Sequence, residues 1–235
     1  MYFPWCGLIE QIKLADIFIH YDDVQFTRGF YNRVQIKTPQ GVAWITVPLR
    51  NRHRGRSIDE LKVSYERDWI AIHRASLSYS YAKAKYIDEM LELFDEVVEK
   101  RHETLADLGR KSIRSLASYF GVDAKTIFLR SSDLGISGSS SQRLLDITRK
   151  LGGTVYLTGH GALNYLNHEI FEEQGIEVRY MKYRIQEYQQ THGAFTPYVS
   201  SLDAVAHLGS SAINVLQSTT LNWRELIGRS KKFRA

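Results

Sequence analysis

Ile17-Phe18-Ile19-His20-Tyr21-Asp22-Asp23-Val24-Gln25-Phe26, continued by Asn32-Arg33, is the stretch from which the fold is read. Apolar and aromatic positions run into two adjacent carboxylates, a glutamine and a basic loop, so a short buried strand delivers polar groups at its carboxyl end. In an open α/β sheet that end is where ligands bind. A strand apolar on both faces also argues for a covered, largely parallel sheet, since a half-exposed strand would alternate apolar with polar residues.

Toward the amino end, residues 1–7 read as a loop, because Pro4 cannot donate a backbone bond and Gly7 frees the backbone. Leu8, Ile9, Ile12, Leu14 and Ala15 then have the spacing of a short helix. An opening strand is expected before such a loop. Toward the carboxyl end, Arg33–Ile36 and Val42–Pro48, joined by a Thr-Pro-Gln-Gly turn, make an early hairpin. A basic loop at 50–57 leads to a short strand over 58–63. Helical spacing covers 69–74 and 87–120, with Gly121 as its stop. Beyond it the pattern alternates: strand 126–129, a Ser/Gly loop 131–142, helix 143–151, strand 155–157, helix 162–174, strand 176–181. That is the signature of βαβ units. Ser139, Ser140 or Ser141 would cap the helix after the loop. The expectation is one α/β domain over 1–227, with a mostly parallel sheet, flanking helices, the hairpin insertion and a helical middle section, followed by a basic tail at 228–235.

Composition bounds the function. The chain has 235 residues, 43% of them hydrophobic and 24% charged, as in an ordinary soluble globular protein. Its net charge of +5 suits anionic ligands. The excess is local: Arg50, Arg52, Arg54 and Arg56 share one loop, and Arg229, Lys231, Lys232 and Arg234 close the chain. Neither matches a nucleic-acid module, so nucleic acid is not an expected partner. One cysteine, Cys6, excludes a disulfide framework and a thiolate zinc cluster. No apolar run is long enough to span a membrane and no signal peptide is visible, so a cytoplasmic location is the expectation.

Four clusters could carry chemistry. Asp22 and Asp23 could hold a magnesium ion, supply a general base, or simply pair with Arg28 or Arg33. On a strand they would point to opposite faces, so one of them faces a ligand. Thr158-Gly159-His160-Gly161 lies between a strand and a helix, where glycines let backbone approach an anion, but the third glycine of a dinucleotide fingerprint is missing. His73 with Tyr79, Tyr81, Lys83 and Tyr86 offers donors and aromatic walls for a sugar or base, or else a helix end with interfacial tyrosines. Tyr188-Gln189-Gln190 with Phe195, Pro197, Ser200 and Asp203 has the same ambiguity. There is no His-Glu-x-x-His, no serine elbow and no Gly-Lys-Ser loop. No metal ligand set, cofactor or oligomeric state is assigned, and Cys6 is read as a packing residue.

Tyr2-Phe3-Pro4-Trp5, Ala15-Asp16, Asp22-Asp23-Val24-Gln25-Phe26, Asn32-Arg33, Ile36-Lys37-Thr38-Pro39, Trp44–Pro48 and His73 together resemble the WbqC-like family. The resemblance continues through Tyr81-Ala82-Lys83-Ala84, Ser131-Ser132-Asp133-Leu134, the glycine loop with Tyr165-Leu166, and Phe195-x-Pro197 before Ser200 and Asp203, to about Gly209. It implies a bacterial protein of O-antigen or related surface polysaccharide synthesis that transfers glycine or another acyl group to an amino sugar, carried as a sugar nucleotide. Such chemistry needs a base, an oxyanion stabiliser and a phosphate pocket. By motif position, Asp22, Asp23 and His73 are the candidates for proton transfer. Asn32, Arg33 and Lys37 are those for anion binding, and Gly159 and Gly161 those for a phosphate loop. Gln25, Tyr81, Lys83, His160, Tyr165 and Gln190 are further substrate contacts.

The family usually carries a strand ending in His-Gln-Pro or Met-Gln-Pro just before the Tyr-Phe-Pro motif, where this chain begins. Thr158, Ala162 and His207 stand where it usually has serine, glycine and asparagine, and Cys6 where it has an aliphatic residue. Two rival readings are a nucleotide-dependent ligase or nucleotidyl transferase, and a non-catalytic scaffold of a polysaccharide assembly complex using the loop at 50–57.

Overall fold

The apolar spacing of Cys6, Ile9 and Ile12 forms helix α1 (Cys6–Lys13), which leads into strand β1 (Ile17–His20). The computed structural model describes residues 1–27, 29–50 and 55–232. Strand β1 is short: the chain leaves the sheet after His20, and 21–26 is loop apart from a bridge between Gln25 and Ser57. It pairs in parallel with β4 (Ile127–Arg130), from Ile17 opposite Ile127 to His20 opposite Arg130. The hairpin appears as expected, β2 (Arg33–Thr38) antiparallel to β3 (Gly41–Thr46). Gly41 holds φ +110° at its turn, which an L side chain rarely adopts.

The strand expected over 58–63 is instead a turn with isolated bridges. Glu60 and Leu61 N–H groups bond back to Ser57 and Ile58 carbonyls, coiling the backbone before Val63 bridges Leu49. The helical middle comprises α2 (Trp69–Ser80), α3 (Ile87–Val98) and α4 (Leu105–Tyr119). The run expected from 87 to 120 breaks at 99–104. There Val63 N–H takes the Glu103 carbonyl, and the Thr104 side chain caps α4 by accepting Asp107 N–H at 3.1 Å. Gly121, at φ +65°, stops α4 as expected.

The rear alternation is confirmed with corrections. Helix α5 (Ser140–Lys150) starts earlier than expected, and no serine side chain caps it. The Ser141 hydroxyl is diverted, accepting Asn167 N–H at 2.8 Å and donating to the Tyr165 carbonyl. Strand β5 (Val155–Thr158) is followed by a 3-10 turn, His160–Asn164, and a one-turn helix α6 (Glu169–Glu172), where one helix over 162–174 was expected. The Asn167 side chain interrupts it by accepting Glu169 N–H and starting the chain afresh. Strand β6 (Glu177–Lys182) lies parallel to β5. Helix α7 (Ser201–Leu208) follows, then β7 (Thr219–Asn222), antiparallel to β6, and α8 (Trp223–Lys232).

The class is α/β. Its parallel pairings lie in two small sheets, β1-β4 and β5-β6-β7, with the hairpin as a third. The main core joins Tyr2, Phe3, the helical middle, the hairpin and α7, while a second, around Leu145, Phe171, Val178 and Tyr180, lies under β5-β6. No helix among the described residues is long and apolar enough to cross a membrane. The stretch 228–232 continues α8, and Arg28, Arg52, Arg54 and 233–235 lie outside the described residues.

Candidate functional site

Parallel pairing brings the carboxyl ends of β1 and β4 side by side, and the segments leaving them, 21–23 and 131–132, are cross-linked through Ser131. Its hydroxyl accepts Asp22 N–H at 3.1 Å and donates to Asp23 Oδ1 at 2.6 Å. The two carboxylates diverge. Asp22, buried, turns to α4, where Arg110 Nη1 meets Oδ2 at 2.6 Å and the other guanidinium arm pairs with Asp107. Asp23 turns to α5 and pairs with Arg143, whose Nε also donates to the Ile136 carbonyl at 3.0 Å. The expected partners were Arg28 and Arg33. Arg28 is outside the described residues, and Arg33 instead donates to the Gly29 carbonyl and lies 4.3 Å over the Trp44 ring. Burial pushes the Asp23 carboxyl up, but the hydrogen bonds from Arg143 and Ser131 and the Arg143 charge outweigh it and hold it below the usual carboxylate range.

On the Asp23 side the segments leaving the two parallel pairs come together, and their junction is the crease between them. The Arg143 guanidinium is 5.0 Å from the Tyr21 ring, and the Tyr165 phenol is pushed up by burial and by its neighbours Tyr21 and Tyr31. Tyr165 is 56% exposed, so its ring is offered to solvent at the edge of the crease. The segment after β5 thus joins those after β1 and β4. Within it, His160 Nε2 lies 2.6 Å from the Met181 carbonyl. A carbonyl only accepts, so in the neutral ring Nε2 carries the proton and Nδ1 the lone pair. A Cβ on Gly159 would press on the Tyr183 hydroxyl at 3.0 Å, whereas Gly161 faces open space.

The remaining expected site residues lie elsewhere. His73 is enclosed: its Nδ1 meets the Tyr2 hydroxyl at 3.0 Å, its ring packs on Trp69, and burial pushes it down to about 4. Lys37 Nζ donates to the carbonyls of Gly193 at 3.3 Å and Ala194 at 2.5 Å. Lys37 N–H donates to the Tyr81 hydroxyl, which donates to Asp203 Oδ2 at 3.0 Å. Gln190 donates to Asp203 Oδ1 at 2.9 Å. Asn32 donates to the Val47 carbonyl at 2.9 Å, bracing the hairpin base. Gln25 and Lys83 are exposed. Burial pushes the Cys6 thiol up to about 12, in keeping with a packing residue. Among the described residues no group of three or more His, Cys, Asp or Glu is placed to hold a metal ion.

The residues sequence reasoning missed are Arg110, Arg114, Arg130 and Arg143, while Tyr21 and Ser131 stood in the motifs without an assigned role. One signal was available: Arg110 and Arg114 are one helical turn apart and therefore share a face of α4. The Asp23–Arg143 pair, 120 residues apart, left none.

A family model, that of the WbqC-like protein family, matches residues 1–215, which ends before β7 and α8. A curated relative, "Uncharacterized protein Rv1507c" of Mycobacterium tuberculosis (strain ATCC 25618 / H37Rv), is 31% identical over 219 residues, covering 92% of this chain and 94% of the relative. No solved structure matches the chain.

Proposed function

The chain belongs to the WbqC-like protein family, and from that premise we propose that it binds an amino-sugar nucleotide in the crease and transfers an acyl group, glycyl or another, to the sugar's amine. The setting is the cytoplasm, in the synthesis of an O-antigen or related surface polysaccharide. The observation that carries this reading is the placement of Arg143, Asp23, Tyr21 and Tyr165 where the segments leaving β1, β4 and β5 meet. Exposed aromatic faces suit a sugar or base, and a guanidinium suits phosphate.

In the proposed step the amine nitrogen forms a bond to the acyl carbonyl carbon and the donor's leaving group departs with its electron pair. The proton lost by nitrogen goes to His160 Nδ1. Asp23, held ionised by Arg143, is a weak proton acceptor and instead orients the amine. Asp22 fixes Arg110, and His73 holds Tyr2 in the core. A second reading, a binding protein without turnover, is favoured by the ion pairing of both aspartates.

Calorimetric titration with UDP-glucosamine, UDP-glucose and ATP, followed by mass spectrometry of each nucleotide incubated with acyl-CoA donors, tests the proposal. Expected are at least tenfold preference for the amino sugar, a mass gain on it, and loss of the gain but not of binding in His160→Ala. Equal affinity for both sugars overturns it. Binding without any mass gain favours the second reading, and a response to ATP alone favours a ligase.

A further inference from the structure

Between α4 and the face of β1-β4 that carries His20 and Phe128 is a cavity of about 280 Å³. Strand alternation puts Phe18, His20, Phe128 and Arg130 on that face. The His20 ring stacks on Phe128 at 5.7 Å and meets Phe18 edge-on at 5.2 Å. It lines the cavity, is 7% exposed, and its Nε2 has no hydrogen-bond partner among the described residues. A buried polar nitrogen left unpaired beside an open volume is costly unless something in that volume pairs with it.

The charges around it are positive and unevenly satisfied. Arg110 meets Asp22 and Asp107, and Arg130 makes a two-pronged pair with Asp133, at 2.6 and 2.5 Å, which offsets the one carboxylate on the cavity wall. Arg114, one turn along α4, has no carboxylate partner among the described residues and lies 5.4 Å from the Phe128 ring. Donors thus approach from α4 and β1 around an apolar wall from β4.

We propose that this cavity binds a small phosphate monoester, its phosphate held by Arg114, the free edge of Arg110 and His20 Nε2, its carbon skeleton against Phe128. A tetrahedral phosphate presents oxygens in several directions, matching donors that come from two elements, two arginines on α4 and His20 on β1. A planar carboxylate would reach fewer of them. Burial, and then the positive charges of the Met1 amine, Arg110 and Arg114, push free His20 down to about 3, and a bound dianion would reverse that balance. The inference does not depend on the acyl-transfer reading.

The test follows the His20 imidazole by 1H–15N NMR during titration with inorganic phosphate, glucose 1-phosphate and glucose at constant ionic strength. Expected are His20 shifts with both phosphates and none with glucose, and several-fold tighter binding of the ester than of phosphate. Arg114→Gln should weaken the ester at least tenfold, and the exposed control Arg149→Ala should leave it unchanged. His20→Phe fits a site already walled by Phe18 and Phe128. It should keep or raise the melting temperature while weakening the ester at least tenfold, a combination that a purely structural histidine would not give. Absent shifts, undiminished affinity in Arg114→Gln or His20→Phe, or an ester no tighter than phosphate each overturn the proposal.

Discussion

Two constellations in this molecule use the same residue types to opposite ends. Around Asp203, which is completely buried, Tyr81, Tyr188 and Gln190 donate to the carboxylate at 3.0, 2.7 and 2.9 Å. His207 Nδ1 donates to the Asp203 carbonyl at 2.7 Å, and its Nε2 accepts Thr191 N–H at 2.8 Å. At the carboxyl ends of β1 and β4 the two aspartates are also paired, but donors are left over. Among the described residues Arg114 has no carboxylate partner and His20 Nε2 no hydrogen-bond partner, and Tyr165 is more than half exposed. A closed, satisfied network fixes a core in one arrangement, whereas surplus donors beside open volume are what a ligand can use.

The largest test of that contrast is Asp203→Ala. It would leave the Tyr81 and Tyr188 phenol protons without their acceptor inside the protein, while Gln190 keeps the Thr196 carbonyl, and removing one member of such a network costs about 3–5 kcal/mol. Urea unfolding should show the midpoint falling with little change in slope. A loss below about 1 kcal/mol would mean that the network relaxes to water, and the distinction between the two regions would collapse.

Next in size is a pH effect shared by two buried histidines, His73 packed on Tyr2 and Trp69 and His20 on the cavity wall. Burial pushes His73 down to about 4 and His20 to about 3, both below the ordinary value near 6.5. As pH falls from about 6.5 toward those folded values the unfolded chain takes up protons first. The stabilisation is therefore complete above about pH 6.5 and is lost through that window, by up to about 1.4 kcal/mol per pH unit for each histidine. Between pH 6.5 and 5 each should remove about 2 kcal/mol. His20→Phe should abolish one share and leave the other. An unchanged slope in that variant would show that folded His20 already carries its proton, which would add a positive charge to the cavity wall.

Asp23→Asn is smaller, about 1–2 kcal/mol, because the pair is partly open and Arg143 retains the Ile136 carbonyl and the Tyr21 ring. The Asp23 carboxyl is held low, so its contribution is full above about pH 4 and disappears as pH falls through the folded value. The asparagine variant should flatten the acid limb measured below pH 4. A limb unchanged from wild type would indicate that the ion pair contributes nothing to the folded state.

Local periodicity made most of this fold legible. The hairpin, helices α1 to α5 and strands β4 to β6 follow from spacing, and the strand ending at Asp22 and Asp23 marked a place where ligand-binding groups gather. What failed was decided by atoms far away in sequence. Residues 162–174 read as a helix until Ser141 and Asn167 intervene, and 58–63 read as a strand until the chain coils against 99–104. The arginines that neutralise Asp22 and Asp23 lie 88 and 120 residues away. The same blindness applies to burial. His73 and Lys37 have the composition of site residues, yet their partners, Tyr2 and two carbonyls in the 193–194 loop, enclose them.

The smallest stability effect with the sharpest functional expectation belongs to Tyr165. Its ring is more than half exposed at the crease, and its backbone carbonyl, not its side chain, takes the Ser141 hydroxyl. Tyr165→Ala should therefore change unfolding free energy by less than about 0.5 kcal/mol, as surface truncations do. If the ring stacks on a bound sugar nucleotide, the same change removes an aromatic contact worth about 0.5–1.5 kcal/mol beyond its buried area. Calorimetry should then register a several-fold or greater loss of nucleotide affinity, restored by Tyr165→Phe, which keeps the ring. Loss of stability without loss of affinity would assign Tyr165 to the satisfied, structural class represented by Tyr81 and Tyr188. The crease would then be an extension of the second core, and the cavity beside His20 the better place to look for a ligand.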